Sequence, residues 1–594
     1  MARRSRPSGR PPGGRGRPRR TLWLGLGLFT VLLLLLCSIS GAWWLARWLT
    51  GGAEEAGPAN PAPTWPPDSP VLSVAVSPVM LPTLQELAAA FNAQELTAPD
   101  GQTLQIQVRP LVPETMVTRA LEAPSFQALV PDSSIWLDLL DRQWAQRHAP
   151  PGNTNALAAL IPPRRVAAHV RFAVSPLVIA AWEDVAQELG WPQQPVSWST
   201  VQRKAVEDPT FRWSHPSTQH AAGLLATLAE FYAGAGLTRG LDETLATQPH
   251  VLDYVRTIEA TVQFYGESED VLVQRLAEEG TQIVDAFVAQ EQTVIAWNRR
   301  QPQRRLVALY PAEGTLWVDH PLALLELGAE DESPVTDNQR RAFQAFSQFL
   351  TQPDTQRRLL ERGYRPTHPD LALDEPGSPF VDTDTVDPRQ PATALQIPPA
   401  SVVEVVRNVW WYTKRPTNVF LVVDTSDSMS GDKLDATRQA LRAFVDQIRG
   451  PRDRVGLVDF GSGVKRVVPL QPMDERGRAN LFPVIDSLEA DGYTALVDGV
   501  MAAYQALQDA NDPEAINAIV VMTDGQENNS RYDMGDLARA MQAGRIPVLI
   551  FTIGFGDDAD EVLLRQMAEL GRGQFRWASE ADLQQLYRII STYF

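Results

Sequence analysis

Five oxygen-bearing side chains in the last third of the chain offer the clearest chemistry: Asp424, Ser426, Ser428, Thr494 and Asp524. Two carboxylates and three hydroxyls, with no histidine or cysteine among them, make no nucleophile relay. They make a hard-oxygen site of the kind that suits Mg2+, Mn2+ or Ca2+. Asp424, Ser426 and Ser428 alternate within one short stretch, Asp424-Thr425-Ser426-Asp427-Ser428. Thr494 and Asp524 come from two later stretches, so the fold must bring three segments together.

The elements that would do so are readable. Residues 419–423 are an unbroken apolar run ending at Asp424, which reads as a buried parallel strand. Gly431 and Asp432 then open a helical pattern with Leu434, Leu441, Phe444 and Ile448 on one side. Residues 516–523 form a second apolar run that ends at Asp524 as the first ended at Asp424. Residues 491–496 are a glycine-containing loop that carries Thr494 and opens another helix. Neighbouring parallel strands place both carboxylates at the C-terminal edge of one sheet, where open α/β folds hold ligands.

This order of motifs resembles the von Willebrand factor A domain with its metal-ion-dependent adhesion site. The pattern Asp-x-Ser-x-Ser, then Thr, then Asp is complete here. The resemblance implies that Ser426, Ser428 and Thr494 touch the metal directly, while Asp424 and Asp524 act largely through water or through the ligands. It also implies a partner protein whose Asp or Glu completes the coordination. Asp427 stands where the family has Gly and adds a negative charge at the rim. Residues 401–594 are assigned to this domain, with later strands expected at 454–460, 464–470, 547–554 and 573–577 and a closing helix at 581–591.

The chain of 594 residues is long enough for several domains. Its formal charge is -18, and the first twenty residues carry eight arginines and no acid, which leaves -26 on the remainder. So acidic a body argues against a nucleic-acid partner, since phosphate contacts need Lys and Arg. Residues 1–21 read as a basic, disordered cytoplasmic tail. Residues 22–46 hold no charge, and a transmembrane helix is expected over residues 22–48. Arginines before it keep the N-terminus inside and the bulk of the chain extracytoplasmic, as a single-pass membrane protein. Ser40-Gly41-Ala42 keeps a cleaved signal peptide open as the rival reading. Cys37 is the sole cysteine, so the exported part has no disulfide, which fits a bacterial exported chain. Residues 49–70 read as a Pro-rich linker.

Residues 71–400 alternate strand and helix patterns: strands at 71–76, 103–108 and 126–130, and helices carrying Leu84, Leu87, Ala88 and Phe91, then Trp136. That alternation predicts a mostly parallel sheet. Residues 172–181 read as a crossing strand, 221–235 as a long helix stopped by Gly236, and 281–290 as a strand or buried helix. Residues 294–298 and 306–310 read as strands, and 336–350 as a helix capped by Thr336 with Phe343, Phe346 and Phe349 inward. The opening segment, the stretch around Trp136, residues 172–180 and Tyr364-Arg365-Pro366 resemble bacterial extracytoplasmic solute-binding proteins. That resemblance implies two α/β lobes with a ligand in the cleft.

Three strand-to-helix turns in this region carry hydroxyls: Ser77; Ser133 and Ser134; and Ser214 with Ser217 and Thr218. Helix N-termini attract anions, so convergence of these turns would suit a small anionic solute; the alternative is that each hydroxyl only caps its helix. Trp213 and His215 are ambiguous in the same way, a lone histidine beside a proline being more often structural than catalytic.

No phosphate-binding Gly-x-x-x-x-Gly-Lys loop, no Gly-x-Ser-x-Gly elbow and no His-Glu-x-x-His motif occurs. The seven histidines lack ligand spacing in the sequence. An enzyme is therefore not expected. The expected function is a membrane-anchored surface binding protein, gripping a protein partner through a divalent metal. The alternatives are the substrate-binding component of an ABC-type uptake system and, more weakly, a metal-dependent hydrolase.

Overall fold

The computed structural model describes residues 69–578, except 149–162 and a few single residues and pairs, together with Leu583 and Ile590. The basic tail, the transmembrane helix over residues 22–48, almost all of the Pro-rich linker and all of the closing helix at 581–591 except Leu583 and Ile590 lie outside the described residues. Among the described residues no helix is long and apolar enough to cross a membrane.

Three sheets organise the described residues. The first has five strands in the order Gln105–Pro110, Val71–Val76, Ala128–Val130, Pro321–Leu325, Val166–Arg171. Its first three strands pair in parallel, and Pro321–Leu325 runs antiparallel to both of its neighbours. Val71–Val76 buries five of its six positions because helices cover both faces. Helix Leu81–Asn92 turns Leu84, Leu87, Ala88 and Phe91 inward. Phe91 meets Phe346 and Phe349 edge-on at 5.2 and 5.7 Å. Those two phenylalanines lie on helix Asp337–Thr351, which Thr336 and Gln339 start with a reciprocal cap.

The second sheet runs Trp317–Val318, Ser175–Trp182, Ala286–Gln290, Trp213–Pro216, Tyr265–Gly266, and Leu306–Leu309 pairs with Ser175–Trp182. The chain crosses from the first sheet to the second between Val166–Arg171 and Ser175–Trp182. It returns between Trp317–Val318 and Pro321–Leu325. Two lobes joined by crossing strands are the result. At the crossing, Val174 bridges Arg365, whose guanidinium grips the buried Glu291 carboxylate at 2.7 and 2.8 Å.

One expected strand is a helix. Residues 294–298 belong to helix Glu291–Asn298. Thr293, Val294, Ile295 and Trp297 are all buried, and a short run buried on most sides has no period that separates strand from helix. The stretch at 281–290 resolves as strand Ala286–Gln290.

The Pro-rich segment after Tyr364 is a strap, not a free connector. It bonds the second lobe through Thr385 O to Ala308 N, Thr393 O to Thr315 N, and Leu395 N to Thr315 O. Helix Ala400–Thr413 follows and packs on Ile135–His148 of the first lobe and on Ala221–Ala235 and Pro249–Glu259 of the second. Glu404 pairs with Arg142 at 2.7 Å, Arg407 pairs with Glu114, and Trp410 donates to Glu259. One helix therefore clasps both lobes.

The third sheet has the order Val464–Pro472, Arg454–Phe460, Thr417–Asp424, Ile516–Thr523, Leu549–Phe555, Arg572–Ala578. All pairs are parallel except the one at the Val464–Pro472 edge. Strand order reverses between Thr417–Asp424 and Ile516–Thr523. Chain connections leave in opposite directions there and open a crevice at the strands' C-terminal ends.

Candidate metal centre

Thr417–Asp424 and Ile516–Thr523 are fully buried strands in direct register, Val423 opposite Met522. Asp424 and Asp524 therefore emerge side by side at the crevice. Both are wholly buried. The Asp424 carboxylate accepts from Ser426 N at 2.8 Å and from the Thr523 hydroxyl. Burial pushes its carboxyl up to about 6 against those hydrogen bonds, and the Asp524 charge adds to the rise.

The hydroxyls converge on the same point. Ser428 Oγ donates to Asp524 Oδ1 at 2.7 Å and lies 3.1 Å from Ser426 Oγ. Thr494 is held by its neighbours on the third loop: its N–H donates to Asn528 Oδ1 at 3.0 Å, and its carbonyl accepts from Asn528 N and Asn529 N. A Cβ on Gly525 would sit 3.1 Å from Thr494 Oγ1 and 3.5 Å from Ser428 Oγ. Gly525 thus marks how closely the second strand's exit approaches both hydroxyls. All five residues expected from the sequence meet here. Ser426 and Thr494 are nearly buried, while Ser428 is exposed and faces solvent.

Three features of the site were not expected. Lys433, in the first turn of helix Asp432–Gln447, pairs its Nζ with Asp524 Oδ2 at 2.5 Å. Asp427 is a clasp between loops: its N–H donates to Gly492 O at 2.9 Å and its carboxylate accepts from Gly492 N at 3.1 Å. Asp424 is part of the buried interior, so replacing it with alanine would strand the Thr523 hydroxyl and the Ser426 N–H without an acceptor. The only sequence signals for these were a lysine one residue into a helix and an aspartate where a glycine is usual.

The residues present fit a hard cation. Oxygen donors from three loops point at one place, and the donor set contains no sulfur or nitrogen. Residues 418–589 match the family model of the von Willebrand factor type A domain. Residues 72–365 match the model described as bacterial extracellular solute-binding protein. Across 166 residues the A domain is 31% identical to inter-alpha-trypsin inhibitor heavy chain H4 of Homo sapiens, which covers 26% of this chain and 17% of that relative. The matched segment is thus well under half the length of the curated relatives. Among solved structures, a von Willebrand factor type A protein from Catenulispora acidiphila is 24% identical with a TM-score of 0.28, covering 30% of this chain and 42% of that one. The periplasmic binding protein P5PA is 12% identical with a TM-score of 0.41, covering 58% of this chain and 99% of that one.

Residues 72–365 treat the expected anion site differently. The Ser77 hydroxyl donates to Asp132, and Ser134 N donates to Asp319 Oδ1 at 2.7 Å. Ser133 Oγ accepts from Ile135 N, and Ser217 Oγ accepts from Gln219 N. Ser214 Oγ donates to Phe264 O at 2.7 Å, and Thr218 is buried. The chain's own carboxylates occupy donors that an anion would need. Acids also face one another between the lobes. Burial raises the Glu269 carboxyl to about 8, with the Asp132 and Asp270 charges adding to it. His220, buried near Asp132, is held down to about 4 by desolvation. Asp132 lies 55 residues from Ser77 and Asp319 lies 185 from Ser134, so no local signal reveals either pairing.

Proposed function

We propose that this chain is a membrane-anchored surface binding protein whose A domain grips a carboxylate-bearing protein partner through a divalent cation, Mg2+, Mn2+ or Ca2+. The observation that supports it is the meeting of Asp424, Ser426, Ser428, Thr494 and Asp524 at the sheet's switch point, with Ser428 open to solvent. Ser426, Ser428 and Thr494 would hold the ion. Asp524 orients the Ser428 hydroxyl, Asp424 holds the loop at Ser426 N, and both supply the compensating charge. Bound there, the ion gives the rim an electrophilic seat for a partner's Asp or Glu. Lys433 neutralises one oxygen of Asp524 and so keeps the protein's own charge around that seat low. Tyr493, 67% exposed beside Thr494, offers the partner an aromatic contact at the rim.

A second reading, the substrate-binding component of an ABC-type uptake system, is supported by the family match over residues 72–365. Acid-lined lobes and a clasping helix favour the first reading, since a delivery protein must open and close. Capture from surface extracts tests the choice. Partner recovery should require Mg2+ and be lost with chelator and in Ser426→Ala. Recovery indifferent to both would remove the reading.

A further inference from the structure

Three ionisable side chains that the sequence does not group lie together inside the second lobe. His215 sits on strand Trp213–Pro216, Glu230 on helix Ala221–Ala235, and Glu259 ends helix Pro249–Glu259. All three are buried to within 1% of full coverage. One ligand atom from each lies within 4.8 Å of the others.

The hydrogen bonds around them determine what can sit between. His215 Nδ1 lies 2.8 Å from Pro216 O. A carbonyl only accepts, so Nδ1 carries the proton, and in the neutral ring Nε2 presents a lone pair. That lone pair faces Glu259 Oε2 at 3.3 Å. The same oxygen accepts from Tyr265 OH at 2.7 Å, and Glu259 Oε1 accepts from the Trp410 indole. Glu230 completes the group, and neither of its oxygens meets a donor. With a neutral imidazole, acceptors therefore converge with no cation between them among the described residues. Nearby cations are engaged elsewhere: Lys414 Nζ pairs with Asp453 at 2.9 Å, and the Arg415 guanidinium binds main-chain carbonyls. An uncompensated pair of buried carboxylates is among the costliest arrangements a protein interior can hold.

We propose that His215, Glu230 and Glu259 form a buried structural site for a zinc-class divalent cation, independent of the A-domain site. One imidazole with two carboxylates suits zinc, and Glu230's two unpartnered oxygens raise three residues to four ligand atoms. Two zinc bonds of about 2.0–2.1 Å at a tetrahedral angle put their ligand atoms ~3.3 Å apart, the spacing seen between His215 Nε2 and Glu259 Oε2. The charges of two carboxylates and a dication cancel. An outer layer is also present: Pro216 O sets the imidazole tautomer, while Tyr265 and Trp410 orient Glu259. Trp410 belongs to the helix that clasps both lobes, and Tyr265 OH accepts from Arg415 N at 2.9 Å on the way into the A domain. The cation would thus fasten the lobe to the segment that leads onward.

The competing occupant is a proton shared by Glu230 and Glu259, and burial beside Glu259 does push the Glu230 carboxyl well above the usual range. Refolding the chain from urea with zinc or with chelator, followed by elemental analysis and thermal melting, separates the two. The site predicts one tightly held zinc per chain. It predicts a melting point several degrees lower after refolding in chelator, restored by zinc but not by magnesium. His215→Gln and Glu230→Gln should lose the zinc, while Ser426→Ala keeps it. Absence of bound zinc in the wild type overturns the site. So does a Glu230→Gln chain that melts at or above wild type, since an amide can donate to Glu259 as a shared proton would. Zinc lost in Ser426→Ala but kept in His215→Gln would place it in the A domain and equally overturn it. Should either ligand variant fail to fold, the wild-type comparison alone decides.

Discussion

Lys433 and Asp524 form an ion pair at the mouth of the A-domain crevice, ammonium to Oδ2, while Oδ1 of the same carboxylate accepts from Ser428. Asp524 is wholly buried and Lys433 is 29% exposed. Lys433 therefore neutralises an acid whose hydrogen-bonded oxygen belongs to the candidate metal site. Lys433→Met should lower stability without metal by about 1–3 kcal/mol, the cost of a buried charge left half paired. Added Mg2+ should recover more stability in the variant than in wild type. Urea unfolding with and without Mg2+ checks both halves.

At the crossing between lobes, Arg365 grips the fully buried Glu291 with two parallel hydrogen bonds, and Tyr310 donates to the same carboxylate. Arg365→Leu should cost about 3–5 kcal/mol, because it strands a buried charge. Arg365→Lys should recover only part, since an ammonium cannot reproduce the fork. Chemical denaturation of the three chains measures this, and equal stability of Leu and Lys variants would contradict it.

Glu269 gives a pH signature. Its folded value is raised from 4.5 to about 8, so the folded chain holds a proton there that the unfolded chain has released. Stability should fall as pH rises across that interval. His220 acts in the opposite direction, from about 4 up to 6.5, and is complete above that. Between about pH 6.5 and 8, wild type should lose up to about 1.4 kcal/mol per pH unit relative to Glu269→Gln. Unfolding free energies across pH report the difference, and a constant difference would contradict the assignment.

Much of the A domain was legible because its central strands are covered on both faces and read as unbroken apolar runs ending in Asp424 and Asp524. The alternation of Asp424, Ser426 and Ser428 then gave the site. What was not legible depends on contacts between distant elements. Lys433 reaches Asp524 only because of the angle at which its helix leaves the loop. The serines at Ser77 and Ser134 looked free because Asp132 and Asp319, which consume their donors, arrive from turns elsewhere. Residues 294–298, within helix Glu291–Asn298, read as a strand because burial on nearly every side erases periodicity. His215, Glu230 and Glu259 have no spacing that suggests a ligand set, and the second lobe's packing alone unites them.

Gly525 sets the closeness of the site. A methyl group there would lie 3.1 Å from Thr494 Oγ1. Gly525→Ala should displace that hydroxyl and weaken metal binding at least about tenfold, or ~1.4 kcal/mol, while the circular dichroism spectrum and melting cooperativity stay close to wild type. Unchanged metal affinity would show that Thr494 is not a ligand.

In the proposed function, Ser426, Ser428, Thr494 and the two aspartates hold a divalent cation. Mn2+ titration followed by electron paramagnetic resonance, on chain first loaded with zinc, reads this directly. Wild type should show saturable Mn2+ binding that Mg2+ competes away, that survives in His215→Gln, and that disappears in Ser426→Ala and Thr494→Ala. Mn2+ binding of equal strength in wild type and in both hydroxyl variants, or none in folded wild type, would contradict it.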